Sequence, residues 1–174
     1  MKAMAKFSLA FLFLKCMNVI LKNEGSYVWH ESDPGGETSM GIARMFYPDL
    51  DIKNLNREQA IEIYFDDYWL PMNLTGIYDE NLVLQIFDFG VNSRSKRYGF
   101  NTALKAIQRI VDVEQDGKIG PITKDAINNY VGDIVYLYIN ERKKYYFDLA
   151  KRKPELQVFL AGWLRRVDHT RFET

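Results

Sequence analysis

Charge imbalance, cysteine pairs and long apolar runs are all missing from this sequence. Basic and acidic residues are equal in number, 23 each, in a chain of 174. That balance argues against a nucleic-acid partner, which would call for a basic patch. It also means that bulk charge cannot draw the chain to an anionic cell wall. Cys16 is the one cysteine, so no disulfide forms within the chain and the fold does not depend on an oxidising compartment. It sits in an apolar run and reads as a buried thiol. His30 and His169 are the two histidines; far apart in sequence, they make no metal-ligand pattern. No uncharged run is long enough to span a bilayer. The apolar stretch Phe7–Leu14 follows Lys2 and Lys6 as a signal-peptide core would. Lys15 interrupts it, and no small-residue cleavage site follows. We read it as part of a buried helix, with a signal segment over 1–20 as the weaker reading.

What the chain does have is a core and many rings. Hydrophobic residues make up 47% and aromatic residues 14%, enough for one compact unit. Periodicity and punctuation predict a mainly α-helical protein. A first helix over 7–23 ends at Gly25, and a turn-rich stretch with a short β-hairpin covers 26–50. Asn56 with Gln59 forms a capping-box pair that opens a second helix, which stops before Pro71. Helices over 80–92 and 98–111 follow. Gly120-Pro121 starts a fifth, because proline suits the first helical position. Gly132-Asp133 separates it from a long helix over 134–151, and Pro154 opens the last.

The chemistry concentrates where the first helix stops. Glu24 stands at that end, where the partial negative charge of the helix terminus favours a carboxyl that keeps its proton. That suits a general acid, and an exposed acid at a frayed end is the plainer alternative. Nine residues on, Asp33 occupies the turn Asp33-Pro34-Gly35-Gly36. It either bonds its own backbone, as turn aspartates do, or faces Glu24 as the second carboxylate of a glycosidic site. Glu37 shares the turn as its rival. Thr38 either orders a water or is simply a strand residue. Tyr27, Tyr64 and Trp69 are candidates for stacking on sugar faces, with core packing as the competing role. Asn92 reads equally as a helix cap or as an amide that binds a substrate. Asp112–Gly117 resembles the start of a calcium loop, but Thr123 stands at its twelfth position where glutamate is needed. It is read as a turn, and neither metal nor cofactor is expected.

The combination Glu24-Gly25, Tyr27, Asp33-Pro34-Gly35-Gly36, Thr38 and Gly41-Ile42 resembles the phage-type N-acetylmuramidases of glycoside hydrolase family 108. Tyr64, Tyr68-Trp69, Phe87-Asp88 and Asn92 extend the likeness. Further on, Gln108, Asp116-Gly117, Gly120-Pro121 and Thr123 resemble that family's small peptidoglycan-binding segment, and Gly162-Trp163-Leu164 with Arg166 its closing helix. Ser26, Trp29-His30 and Ala43 depart from the pattern. The resemblance implies a lysozyme-like helical fold, with a muramidase region over 1–95 and a helical peptidoglycan-binding region over 96–174 packed on it. It implies Glu24 as the catalytic acid. By wider analogy with phage lysozymes, Asp33 and Thr38 take supporting roles. The implied reaction is hydrolysis of the β-1,4 bond between N-acetylmuramic acid and N-acetylglucosamine. The implied partner is the peptidoglycan glycan strand, met by a monomer in the periplasmic or extracellular wall. A non-catalytic peptidoglycan-binding accessory protein and a lytic transglycosylase are the alternatives.

Overall fold

A computed structural model describes residues 2–24, 27, 36–93 and 100–172, with side chains from residue 10 onward. Helix α1 runs Lys2–Asn23. Its inward face carries Phe13, Cys16, Met17 and Ile20, all buried, while Phe11 and Leu14 point outward. The i, i+3, i+4 spacing of that face continues to Glu24. The Glu24 N–H donates to the Ile20 carbonyl at 3.0 Å, so the last turn of α1 delivers this acid to the core side of the helix. Cys16 is the buried thiol expected; burial pushes it up from its ordinary value and keeps it a thiol.

The expected hairpin is present. β1 (Thr38–Ser39) pairs antiparallel with β2 (Ile42–Ala43), Thr38 opposite Ala43 and Ser39 opposite Ile42. Met40 and Gly41 make its two-residue turn with φ of 48° and 77°, the doubly positive pattern that matches strand twist. A 3-10 turn, Arg44–Phe46, follows.

Helix α2 (Arg57–Tyr64) opens on the reciprocal Asn56 and Gln59 capping box. Here the structure differs from the sequence reading, which stopped the helix before Pro71. The chain widens into a π-helical turn, Phe65–Trp69, and continues through α3, Leu70–Met72. The Leu70 N–H reaches back to the Phe65 carbonyl. That longer step carries the chain past the place where the missing donor of Pro71 would break an α-helix.

Helix α4 (Glu80–Asn92) is the central post. Residues 82–90 are buried without interruption, because α1, the π turn, α5 and α7 all pack around it. Helices α5 (Asn101–Ile110), α6 (Pro121–Asn128), α7 (Ile134–Arg152) and α8 (Gln157–His169) complete the fold, with Pro121 at the first position of α6 and a 3-10 turn, Pro154–Leu156, ahead of α8. The architecture is mainly helical with a single small hairpin among the described residues, the lysozyme-like class expected. None of the described helices is long and apolar enough to cross a membrane.

Candidate active site

Glu24 sits in a chain of charges that starts in the core. Asp88, on the inward face of α4, is wholly buried. A carboxylate cannot stay there unpaired, and four donors converge on it. Arg142 of α7 donates from Nη2 to Oδ2 at 2.7 Å. The Thr170 hydroxyl reaches the same oxygen at 3.1 Å. Arg166 of α8 donates from Nε and Nη2 to Oδ1 at 3.0 and 2.8 Å. Burial pushes the Asp88 carboxyl up, but the guanidinium groups of Arg166 and Arg142 outweigh it and hold the group below its ordinary value. Arg142 is itself fully buried. Its Nη1 donates to the Gln85 side chain, and the Gln85 amide donates to the Thr170 carbonyl at 2.6 Å.

Arg166 carries this network outward. Its Nη2 also donates to Glu24 Oε1 at 2.7 Å. Burial alone would lower the Arg166 guanidinium, but the Asp88 and Glu24 carboxylates outweigh it and keep the group cationic. The Glu24 side chain is 16% exposed, the Asp88 side chain 0%. Solvent therefore reaches the outer acid and not the inner one. A guanidinium holds one oxygen of Glu24.

The other oxygen of Glu24 faces the hairpin turn. A side-chain carbon added to Gly41 would stand 2.6 Å from Glu24 Oε2 and 2.5 Å from the Tyr64 hydroxyl. The Tyr64 hydroxyl in turn donates to the Met40 carbonyl at 3.0 Å. The turn closes over Glu24 only because residue 41 has no Cβ and accepts a positive φ. Gly41→Ala is expected to cost about 1–2 kcal/mol in stability from the left-handed backbone alone and to displace Glu24. Melting identical to wild type would exclude the close approach.

The remaining candidates divide. Asp33 and His30 lie outside the described residues. Thr38 opens β1 and so stands on the strand that leads into the Met40-Gly41 turn. Glu37, the rival carboxylate, accepts from Arg44 Nε at 2.9 Å and from the Tyr27 hydroxyl at 2.9 Å. The hydrogen bond from Arg44, then that from Tyr27, holds Glu37 below its ordinary value. Tyr27 keeps an exposed ring and remains a candidate for contact with a sugar.

Tyr64 and Trp69 are corrected. Each is 1% exposed, and stacking needs an open ring face. Trp69 packs against Phe87 and Phe13, with ring centroids 5.1 and 5.3 Å away. Tyr64 supports the turn over Glu24 instead. Asn92, the last residue of α4, donates to the Tyr146 hydroxyl at 3.3 Å, so its amide joins α4 to α7. Among the described residues no cluster of histidine, cysteine or carboxylate side chains gathers for a metal. The segment resembling a calcium loop closes on a neighbouring helix: Asp116 accepts from Gln108 Nε2 at 2.7 Å, and the Gly117 N–H donates to Gln108 Oε1 at 2.8 Å.

Asp88, Arg142 and Arg166 form the network that reaches Glu24, and sequence reasoning gave them no role. Two signals were available. Gln85 and Asp88 interrupt the otherwise apolar run 82–90 of α4, and Arg142 lies on the same stripe of α7 as Tyr138 and Tyr146. Charges in such positions demand buried partners.

Comparison with known proteins supplies the family. Residues 17–93 match the family model described as glycosyl hydrolase 108. Residues 102–168 match the model described as a predicted peptidoglycan domain. The solved structure of SagA from Brucella abortus is similar over 91% of this chain and 90% of its own, with 28% identity and a TM-score of 0.74. No curated protein matches the chain.

Proposed function

Because the chain belongs to glycosyl hydrolase family 108 over residues 17–93 and carries a predicted peptidoglycan domain over 102–168, we propose that it cleaves the β-1,4 bond between N-acetylmuramic acid and N-acetylglucosamine in the bacterial wall, outside the cytoplasm. Glu24 is the proton donor. The observation that carries this reading is the asymmetric grip on Glu24. Arg166 holds Oε1 at 2.7 Å as an acceptor, which leaves Oε2, on the side of the hairpin turn, as the oxygen we assign to carry the proton.

In the reaction, Glu24 passes its proton to the bridging oxygen as the bond to the muramic anomeric carbon breaks. Water adds to that carbon, and its proton passes to a base. Asp33 is the residue we assign to that base or to stabilising the positive charge that develops on the sugar. Thr38 is assigned to ordering the water, from the strand that leads into the turn over Glu24. Arg166 positions Glu24, and Asp88 positions Arg166. A proton donor must be held within hydrogen-bond reach of the oxygen it serves, and misplacement by about 1 Å can cost roughly 100-fold.

A lytic transglycosylase would use the same acid but close the muramic ring on its own 6-hydroxyl. A binding protein would leave the glycan intact. Mass spectrometry of digested peptidoglycan distinguishes the three. We expect muropeptides with reducing muramic ends. Anhydro-muramic ends would replace hydrolysis with the transglycosylase reaction. An unchanged polymer would leave only a binding role.

A further inference from the structure

Between α5 and α7 lies a groove of about 560 Å³. None of its charged residues belongs to the Glu24 network. Its apolar floor is the half-buried ring of Tyr145, backed by the buried Phe89 and Ala106. Phe89 is fully buried, and its ring meets that of Tyr145 edge-on at 5.2 Å. Five of the lining side chains are cationic and two are carboxylates, in a chain whose charges balance overall.

Part of that excess has a local explanation. Lys151 and Arg152 occupy the last turn of α7, where the helix end favours cations. Arg109 pairs with Glu141, and Arg152 donates to the Asp148 carbonyl. Lys105 and Lys144 have no such explanation. Each lies in the middle of its helix, and neither has a hydrogen-bond or ion-pair partner among the described residues. Two ammonium groups lining one groove repel each other in the empty protein, and a bound anion reverses the sign of that interaction.

Peptidoglycan suggests the anion. Its bridging sugars offer neutral acetamido and hydroxyl groups, while its stem peptides offer free carboxylates beside alanine methyls. A cationic rim over an apolar floor suits the peptide. We propose that the α5–α7 groove binds the acidic stem peptide of peptidoglycan, with Lys105 and Lys144 reading its carboxylates and the half-buried Tyr145 ring receiving its methyl groups. The proposal rests on the reading of the chain as a peptidoglycan-acting protein, but not on its hydrolytic activity.

The test uses the full-length Glu24→Gln variant, so that no turnover intervenes, and free stem tetrapeptide as the probe. Titration followed by amide NMR should shift resonances in 102–109 and 141–152. The Lys105→Gln, Lys144→Gln double variant should weaken binding by at least about 10-fold, as expected when two charge contacts of modest strength are lost. The matching lysine-to-arginine double variant should retain it. Absence of shifts in these helices overturns the proposal. So does equal binding by a tetrapeptide with amidated carboxylates. Inorganic phosphate that produces the same shifts at the same concentration would overturn it in favour of a generic anion site. Wall clearance by the wild-type chain is measured separately. Clearance without tetrapeptide binding rejects the groove alone, and binding without clearance upholds the groove and rejects the hydrolase.

Discussion

Glu24→Gln should abolish wall lysis while leaving the protein folded. The substitution keeps the shape of the side chain and leaves an amide oxygen to accept from Arg166, but removes the proton that the leaving oxygen needs. Loss of a positioned general acid costs about 100- to 10,000-fold. Melting should change little, because the Glu24 carboxylate is partly solvated and its partner keeps Asp88 as a second acceptor. The measurement pairs turbidity clearance with thermal melting on one preparation. A folded glutamine variant that clears cell walls within a few-fold of wild type would remove Glu24 from the chemistry. The same variant should still sediment with insoluble peptidoglycan, because the predicted peptidoglycan domain lies elsewhere in the chain.

Much of this fold was legible in the sequence, wherever the signal was local. The span of α4 was read as 80–92 and stands at Glu80–Asn92. The Asn56 and Gln59 capping box and Pro121 at the start of α6 are where punctuation put them. Each depends on residues within one or two turns of each other, so hydrophobic period and capping chemistry suffice. The π turn at Phe65–Trp69 was not legible. Proline at 71 argued for a stop, and tertiary packing of Tyr68 and Trp69 into the core overrode it.

Of the charge network, the sequence singled out the outermost member only. Glu24 announced itself by standing at the end of an apolar helix. What holds it did not, because Arg166 is 142 residues away in sequence and Asp88 a further partner 78 residues from Arg166. No periodic pattern links three helices. The rings failed for a different reason. Tyr64 and Trp69 were considered as sugar-stacking residues, and a sequence does not tell a ring on the inner face of a helix from one that lines a cleft. In Tyr64 the polar tip does matter, but it serves the Met40 carbonyl.

The consequence of this wiring is that the acid of the first region depends on the second. Arg142, Arg166 and Thr170 all come from the C-terminal part of the chain, and they meet on Asp88 in the glycosyl hydrolase segment. Asp88→Asn is therefore expected to have the largest effect on stability. It leaves the fully buried Arg142 guanidinium without its counter-charge and Arg166 with Glu24 alone. Breaking a buried pair by removing one partner costs about 3–5 kcal/mol. At this chain length that corresponds to a fall in melting temperature on the order of 10 °C. The pH dependence follows from the direction of the shift. Asp88 in the fold lies below the ordinary 3.8, so the ionised form is favoured by folding. Its contribution is complete above that value and is lost as pH falls through the lower folded one. The melting gap between wild type and Asp88→Asn should thus be full at pH 7 and at pH 5, and should narrow only below about pH 4. Lysis by the surviving folded fraction should also fall, since Arg166 would then be held by Glu24 alone. A variant that melts within a degree or two of wild type at pH 7, or a gap that closes between pH 7 and pH 5, would show that Asp88 does not anchor the pairing of the two segments as an ionised carboxylate.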